Sequence, residues 1–196
     1  MAKIGFVSTL IPADKFKKKY ELGGITIFHI GEVLDNESGA YKCWECSMTT
    51  AAFNEDEVKA AFEEFKAKLA ASELATAKAQ KIAEIDAYDT SSAVNGFILN
   101  GIRTWAKKDE RMSFQQNIAD KEALGFKEIT WWFDGVPITL PCDKAEQLRL
   151  HLENYAFDCF NVTAAHKKAV SELASIEEVE KYDITAGYPA QLKMEV

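Results

Sequence analysis

Hydrophobic and polar positions recur along this chain in two rhythms, and the changes of rhythm locate its elements. Near the start, residues 3–9, 24–32 and 40–50 mix β-branched and aromatic side chains between turn-forming Gly, Pro, Asn and Asp, which predicts three strands. A basic run, residues 15–19 with Phe16 and Tyr20 interleaved, is expected as a solvated loop or short helix that caps or links them. The period then lengthens. Asn54 and Glu57 form a capping box, in which the Asn54 side chain accepts from a free first-turn amide while Glu57 reaches back. Val58, Phe62, Phe65 and Leu69 follow at steps of four and three, a stripe that requires something apolar opposite. It thins through Ser72, Thr76 and Ala79, then resumes one step out of phase at Ile82 and Ile85. The spacing predicts one helix of about 30 residues, reaching about 45 Å. Either it changes partners midway, with the alanine-rich residues 68–81 as connector, or it lies across a single core.

Residues 81–105, KIAEIDAYDTSSAVNGFILNGIRTW, carry the chain from that helix into a β-hairpin and open a back half that reads as one α+β unit. In the hairpin over residues 94–106, Asn100-Gly101 is the stronger turn signal because it tolerates the positive φ angles of a type I′ turn; Asn95-Gly96 competes with it. A second hairpin, residues 128–140, has Asp134-Gly135 at its centre. A two-residue loop there pairs Phe133 with Val136, Trp131 with Ile138 and Ile129 with Leu140, putting six apolar side chains on one face. Pro137 then falls opposite Trp132 on the other face, with Thr130, so the strand over residues 136–140 is expected at a sheet edge. Trp132 is either covered by a helix or available to a partner. Between the hairpins, residues 111–124 read as a helix through Met112, Gln115, Ile118 and Ala119, closed by Gly125. Asp143 and Glu146 form another capping box and open the longest regular pattern: Leu148, Leu152, Tyr155, Cys159, Val162, His166, Ala169 and Leu173. Ser175 to Glu178 repeats the box for a short last helix, before Tyr182-Asp183, Gly187-Tyr188-Pro189 and a loose tail.

Composition narrows the function classes. At 196 residues, 47% hydrophobic and 28% charged, the chain has globular proportions and length for one large domain or two small ones. Its 23 Lys and Arg against 31 Asp and Glu give a net charge of -8, which argues against nucleic acid and anionic lipid, since both reward clustered cations. No apolar run nears the roughly 20 residues of a membrane span, and the opening MAKIGFVSTLIP lacks the long apolar segment of a signal peptide. The chain is expected in the cytosol of the cell that makes it, with Cys43, Cys46, Cys142 and Cys159 reduced.

Candidate chemistry is sparse. Cys43-Trp44-Glu45-Cys46 has the spacing of a redox or metal pair, yet it sits in a strand-like run and not at a helix N-terminus. In a regular strand, residues three apart point to opposite faces, so the two sulfurs share neither a metal nor a disulfide. His29, His151 and His166 form no metalloprotease-like pair and lie near no nucleophile elbow. His166 falls on the long apolar stripe, where hydrogen bonding at the edge of the core is expected, and Cys159 on the same stripe reads as a small buried hydrophobe. Asp86, Asp89, Glu110 and Glu122 are scattered, and no phosphate-binding loop is present. The cluster Asp89, Thr90, Ser91, Asn95 and Asn100 is expected to satisfy a helix-to-strand turn by local hydrogen bonds. No catalytic, cofactor or metal site is expected, and no enzyme activity.

The succession KIAEIDAYDTSSAVNGFILNG, Arg111, TWWFDGVPITLP, LENYAFDCFNVTAAHKKAV and YDITAGYP, over residues 81–189, resembles a domain of unknown function of phages and prophages. That domain is commonly the C-terminal part of tail-fibre-associated or tail-fibre-assembly-type proteins. The matching positions are Asp89, Ser91, Val94, Asn95, Asn100, Gly101, Arg111, Trp132, Asn161, His166, Tyr182, Asp183, Tyr188 and Pro189, none with an assigned role. Ala106-Lys107-Lys108 departs from the leucine that members carry soon after the Trp105 position, and residues 1–50 match no family. The resemblance implies a phage tail protein acting by protein–protein contact, as a fibre assembly or attachment factor or a component of the fibre or baseplate. Its partner would be a tail-fibre or baseplate protein, with homo-oligomerisation left open. The alternative is a receptor- or glycan-binding module at the tail tip, with Trp44, Trp131 or Trp132 stacking on sugar rings; a thiol oxidoreductase using Cys43 and Cys46 is disfavoured. The expected fold is α+β: an N-terminal β-rich module (1–54), a long helix or connector (55–87) and a C-terminal α+β domain (88–196) of two β-hairpins covered by helices. Docking is expected on the stripe Val58, Phe62, Phe65 and Leu69, or on the hairpin at Trp132 and Pro137.

Overall fold

Two hairpins, β2–β3 and β3–β4, and a crossing from one edge strand to the other, β1 to β2, draw the N-terminal strands into one antiparallel sheet, in the order β1-β4-β3-β2. Its strands are β1 (Val7–Pro12), β2 (Lys19–Leu22), β3 (Ile25–Asp35) and β4 (Ala40–Thr49). The computed structural model describes residues 4–133 and 135–195, without the side chains of Asn95 and Trp105, so Lys3, the expected start of the first strand, lies outside the described residues. The basic run links strands as expected: Lys15 ends a short 3-10 turn (Ala13–Lys15), residues 16–18 are loop with exposed lysines, and only Lys19 enters β2, a fourth strand that the pattern did not predict. The interleaved aromatics anchor the segment: Phe16 and Tyr20 set their rings 5.7 and 6.0 Å from that of His29. The lysines stay at the rim, Lys18 paired with Glu32 and Lys19 4.5 Å from the centre of the Phe53 ring. In β3 the register shifts between Ile30 and Val33. Gly31 makes that bulge with φ +67°, and a Cβ there would stand 2.7 Å from the Phe62 ring, so glycine answers both the backbone and the close approach of a helix.

That helix is α1 (Glu55–Asp89), 35 residues long. Asn54 Oδ1 accepts from the Asp56 and Glu57 amides at 3.1 and 3.4 Å, and the Asn54 side-chain amide donates to the Glu57 carboxylate at 3.3 Å. Val58 packs with Phe28 and Cys46 in a core cluster of the sheet. By internal contacts the chain divides into two units, Met1–Glu73 and Leu74–Val196, and the division falls inside α1. Val58 and Phe62 are buried in the first unit and Ile85 in the second, so the helix serves two cores in succession.

The second unit continues through α2 (Ser92–Asn95), β5 (Gly96–Leu99), β6 (Ile102–Trp105), α3 (Lys108–Ala123), β7 (Glu128–Phe133), β8 (Val136–Pro141), α4 (Cys142–Glu172), α5 (Ile176–Lys181) and β9 (Lys193–Met194). Asn100 and Gly101, at φ 51° and 78°, make the β5–β6 turn, as Asn-Gly predicts. Asn95-Gly96, the competing turn, instead ends α2, whose first turn is capped by Ser91. β7 and β8 pair in the predicted register, Ile129 with Leu140, Trp131 with Ile138, Trp132 with Pro137 and Phe133 with Val136; Asp134 of the turn lies outside the described residues. One core gathers Phe97, Phe114, Ile118, Phe133, Leu140 and Leu148, among others. Burying each such side chain contributes roughly 1.5–3 kcal/mol.

Three expectations are corrected here. α3 buries Phe114 and Ile118 and leaves Met112, Gln115 and Ala119 exposed, because Phe114 is held 5.2 and 5.4 Å from the rings of Trp131 and Phe133. α4 starts at Cys142 without a side-chain cap: the Cys142 amide donates to the Lys127 carbonyl at 3.0 Å, and Glu146 takes the Arg149 guanidinium instead of capping. Its buried stripe follows the prediction through Cys159 and again at His166, but Thr163 and Val170 take the buried places expected of Val162 and Ala169, which are half-buried. The tail is not loose, since β9 pairs in parallel with β5 and the Ile98 and Asn100 amides donate to the Leu192 and Met194 carbonyls at 2.8 and 2.9 Å. The Ser175–Glu178 box forms as predicted, and the Ala174 and Ser175 amides hold the Glu178 carboxyl below its usual range. The overall class is α+β, with an N-terminal β module, a long helix and C-terminal strands with helices.

Candidate interaction surface

Strand alternation gives the β7–β8 hairpin two unlike faces. Inward, Ile129, Phe133 and Leu140 are buried, and the Phe133 ring meets Phe97 edge-on at 5.7 Å. Outward stand Thr130, Trp132, Pro137 and Thr139. The Thr130 and Thr139 hydroxyls bond each other at 2.8 Å across the strands, and Trp132, opposite Pro137, is 64% exposed. Among the described residues the sheet has two strands, so β8 is an edge strand as Pro137 predicts, and β7 is one too. Nothing among the described residues covers this indole, which makes it the side chain best placed to be buried by a partner.

The other expected docking surface is corrected by the structure. Val58 and Phe62 are buried on their own sheet, and Phe65 lies 5.2 Å from the Phe6 ring and 4.7 Å from Trp44. The stripe is occupied because the N-terminal sheet supplies the apolar surface it requires; Leu69, beyond those rings, is half-buried. The same contacts withdraw Trp44 as a stacking platform, and Trp131, packed on Phe114, is withdrawn likewise. Of the three tryptophans considered for stacking, Trp132 alone has an open face.

A polar network in the second unit was only partly legible. The Thr163 hydroxyl donates to Asp89 Oδ1 at 2.6 Å and lies 2.8 Å from the Tyr188 hydroxyl. His166 Nδ1 is 2.8 Å from the Tyr182 hydroxyl, and its Nε2 is 2.8 Å from the Ala186 carbonyl, which can only accept. Nε2 therefore carries a proton. The Tyr155 hydroxyl donates to the Val94 carbonyl at 2.7 Å, and burial next to Cys159 pushes its pKa up to about 12. These bonds tie the tail segment to α4 and to the end of α1, and they gather Asp89, Val94, His166, Tyr182 and Tyr188, five of the resemblance positions. Missing from the sequence reading is Thr163, a polar residue inside an apolar stripe whose partners are 74 and 25 residues away. Asn95 of the expected polar cluster has no described side chain; Thr90 and Ser91 bond locally to the Asp86 and Tyr88 carbonyls, as turn residues do.

The remaining candidates do not converge. Cys46 joins the helix-facing cluster with Phe28 and Val58, while Cys43 lies toward Glu32, Glu45 and Lys18; burial raises both thiol pKa values. His29 is buried with its Nδ1 2.5 Å from the Lys17 carbonyl, and His151 is exposed. Among the described residues, no three His, Cys, Asp or Glu side chains are grouped to hold a metal ion, and no helix is long and apolar enough to cross a membrane.

Comparison with known proteins returns no match among curated proteins and none among solved structures. One family does match, over residues 76–186, more than half of the chain and nearly the whole of the second unit. The hairpin with Trp132, the long α4 and the Thr163 and His166 network except Tyr188 fall within it, and by that match the chain belongs to the family described as Domain of unknown function (DUF4376).

Proposed function

We propose that this chain is a phage or prophage tail-associated protein that acts by protein–protein contact, as a tail-fibre assembly or attachment factor or as a structural component of the fibre or baseplate. The tail assignment rests on the resemblance of residues 81–189. The contact rests on one observation, the 64% exposed Trp132 on the outer face of a two-stranded hairpin. A tryptophan buried at the centre of an interface is the side-chain type that most often dominates affinity, and its loss commonly costs 2 kcal/mol or more, about 30-fold. The test is co-purification with the fibre polypeptide encoded beside it. Trp132→Ala is expected to weaken capture about 30-fold with an unchanged melting temperature. A protein neither attached to tail particles nor required for fibre incorporation would reject the reading.

A second reading, a receptor- or glycan-binding module at the tail tip, is favoured by the Thr130 and Thr139 hydroxyls beside the same ring. A glycan array separates the two, since an assembly factor binds fibre polypeptide and leaves the array blank.

A further inference from the structure

Where the end of α1, the start of α3 and the middle of α4 meet, Asp89, Thr90, Lys107, Lys108, Arg111, Ala156 and Phe160 line a cleft of about 310 Å³. All of it lies in the second unit, and none of its residues belongs to the hairpin face described above. We propose that this cleft binds a small phosphomonoester carried on a flat ring, and this inference is independent of the tail reading. Three features select that ligand. First, Phe160 is 62% exposed and Ala156 beside it is small, so one wall offers a ring face to stack on. Second, the lining holds three cations in a chain whose net charge is -8. Arg111 shares its charge with Glu153 at 3.0 Å, and Asp89, which accepts from Thr163, is the one carboxylate in the lining; Lys107 and Lys108 enter no ion pair among the described residues. Three cations against the single Asp89 carboxylate leave the lining net positive, which suits a phosphomonoester, roughly -1.5 to -2 near neutral pH, better than a carboxylate. Third, Arg111 is already positioned, its Nη1 donating to the Ala106 carbonyl at 2.9 Å and its Nε to Glu153. A guanidinium has five N–H donors, so those two bonds leave others to offer. The volume is at the lower end of small-ligand sites, which suits a single ring with its phosphate and excludes a polymer.

The experiment is isothermal titration calorimetry of the full chain with phenyl phosphate, adenosine monophosphate, inorganic phosphate and adenosine. Saturable binding of one or both ring phosphates is expected, at least about tenfold tighter than inorganic phosphate or adenosine. The stronger of the two identifies the source of the ring, a nucleotide or a simple aryl group. The double variant Lys107→Glu, Lys108→Glu is expected to lower ring-phosphate affinity at least about tenfold, and Phe160→Ala to lower it several-fold while leaving inorganic phosphate unchanged. All three positions are exposed, and unchanged thermal melts would show that the variants fold. Absence of ring-phosphate binding at millimolar concentration, undiminished binding by the charge-reversed variant, or equal affinity for inorganic phosphate would each overturn the proposal.

Discussion

Trp44 on β4 and Trp132 on β7 occupy comparable positions, each on an antiparallel strand in a run of alternating side chains, yet one is packed and the other open. The four-stranded sheet is covered on one face by α1, through Val58, Phe62 and Phe65, and partly on the other by Phe16, which lies over His29 and Tyr41 beside Tyr20 of β2. The β7–β8 hairpin is covered on its inner face alone, where Phe133 and Leu140 join the core. Alternation therefore assigns residues to faces, but an element distant in sequence decides which faces stay wet. A tryptophan is diagnostic of contact only after that second question is answered.

Four substitutions would break or sharpen this contrast. Phe133→Ala on the inner face of the hairpin should destabilise the second unit by about 3–5 kcal/mol in denaturant unfolding; a loss below about 1 kcal/mol would mean that face is not core. Gly31→Ala should cost the first unit about 2 kcal/mol, combining a left-handed backbone with a Cβ pressed on a buried ring. If its thermal melt matches the parent, the bulge does not constrain α1. Phe16→Ala should cost about 1–2 kcal/mol and speed the reaction of Cys43 with thiol reagents, because burial is the chief reason its thiol pKa is raised. Unchanged labelling would show that the second face of the sheet is not sealed by this ring. Trp132→Ala should stay within about 0.5 kcal/mol of the parent, and a larger loss would make the exposed indole a stabilising residue of the hairpin.

What the sequence revealed depends on how local the deciding interactions are. The β7–β8 register could be read because a two-residue turn and a period of two determine every pair from Ile129–Leu140 to Phe133–Val136. The Ser175 box was legible for the same reason, its partner being three residues on. The phase of α3 was not legible: Met112, Gln115, Ile118 and Ala119 suit a helix as well as Phe114 and Ile118 do, and only the rings of Trp131 and Phe133 choose between them. The Phe62 stripe was seen, but not that Phe6, Gly31 and Trp44, from separate segments upstream, would cover it. Of the candidate surface, Trp132 and Pro137 were found from pairing alone. Thr163 and the cleft beside Phe160 were not, since each depends on segments joined only by the tertiary fold.

The parallel pairing of β9 on β5 also orders events during synthesis. Gln191 donates to the Gly96 carbonyl across 95 residues, and the Leu192 and Met194 carbonyls receive the amides of Ile98 in β5 and of Asn100 just beyond it. A ribosome must therefore deliver α3, both strands of the second hairpin, α4 and α5 before that margin of β5 finds its neighbour. Through that interval the nascent polypeptide carries an open strand margin, and chaperone occupancy or premature self-association should concentrate there.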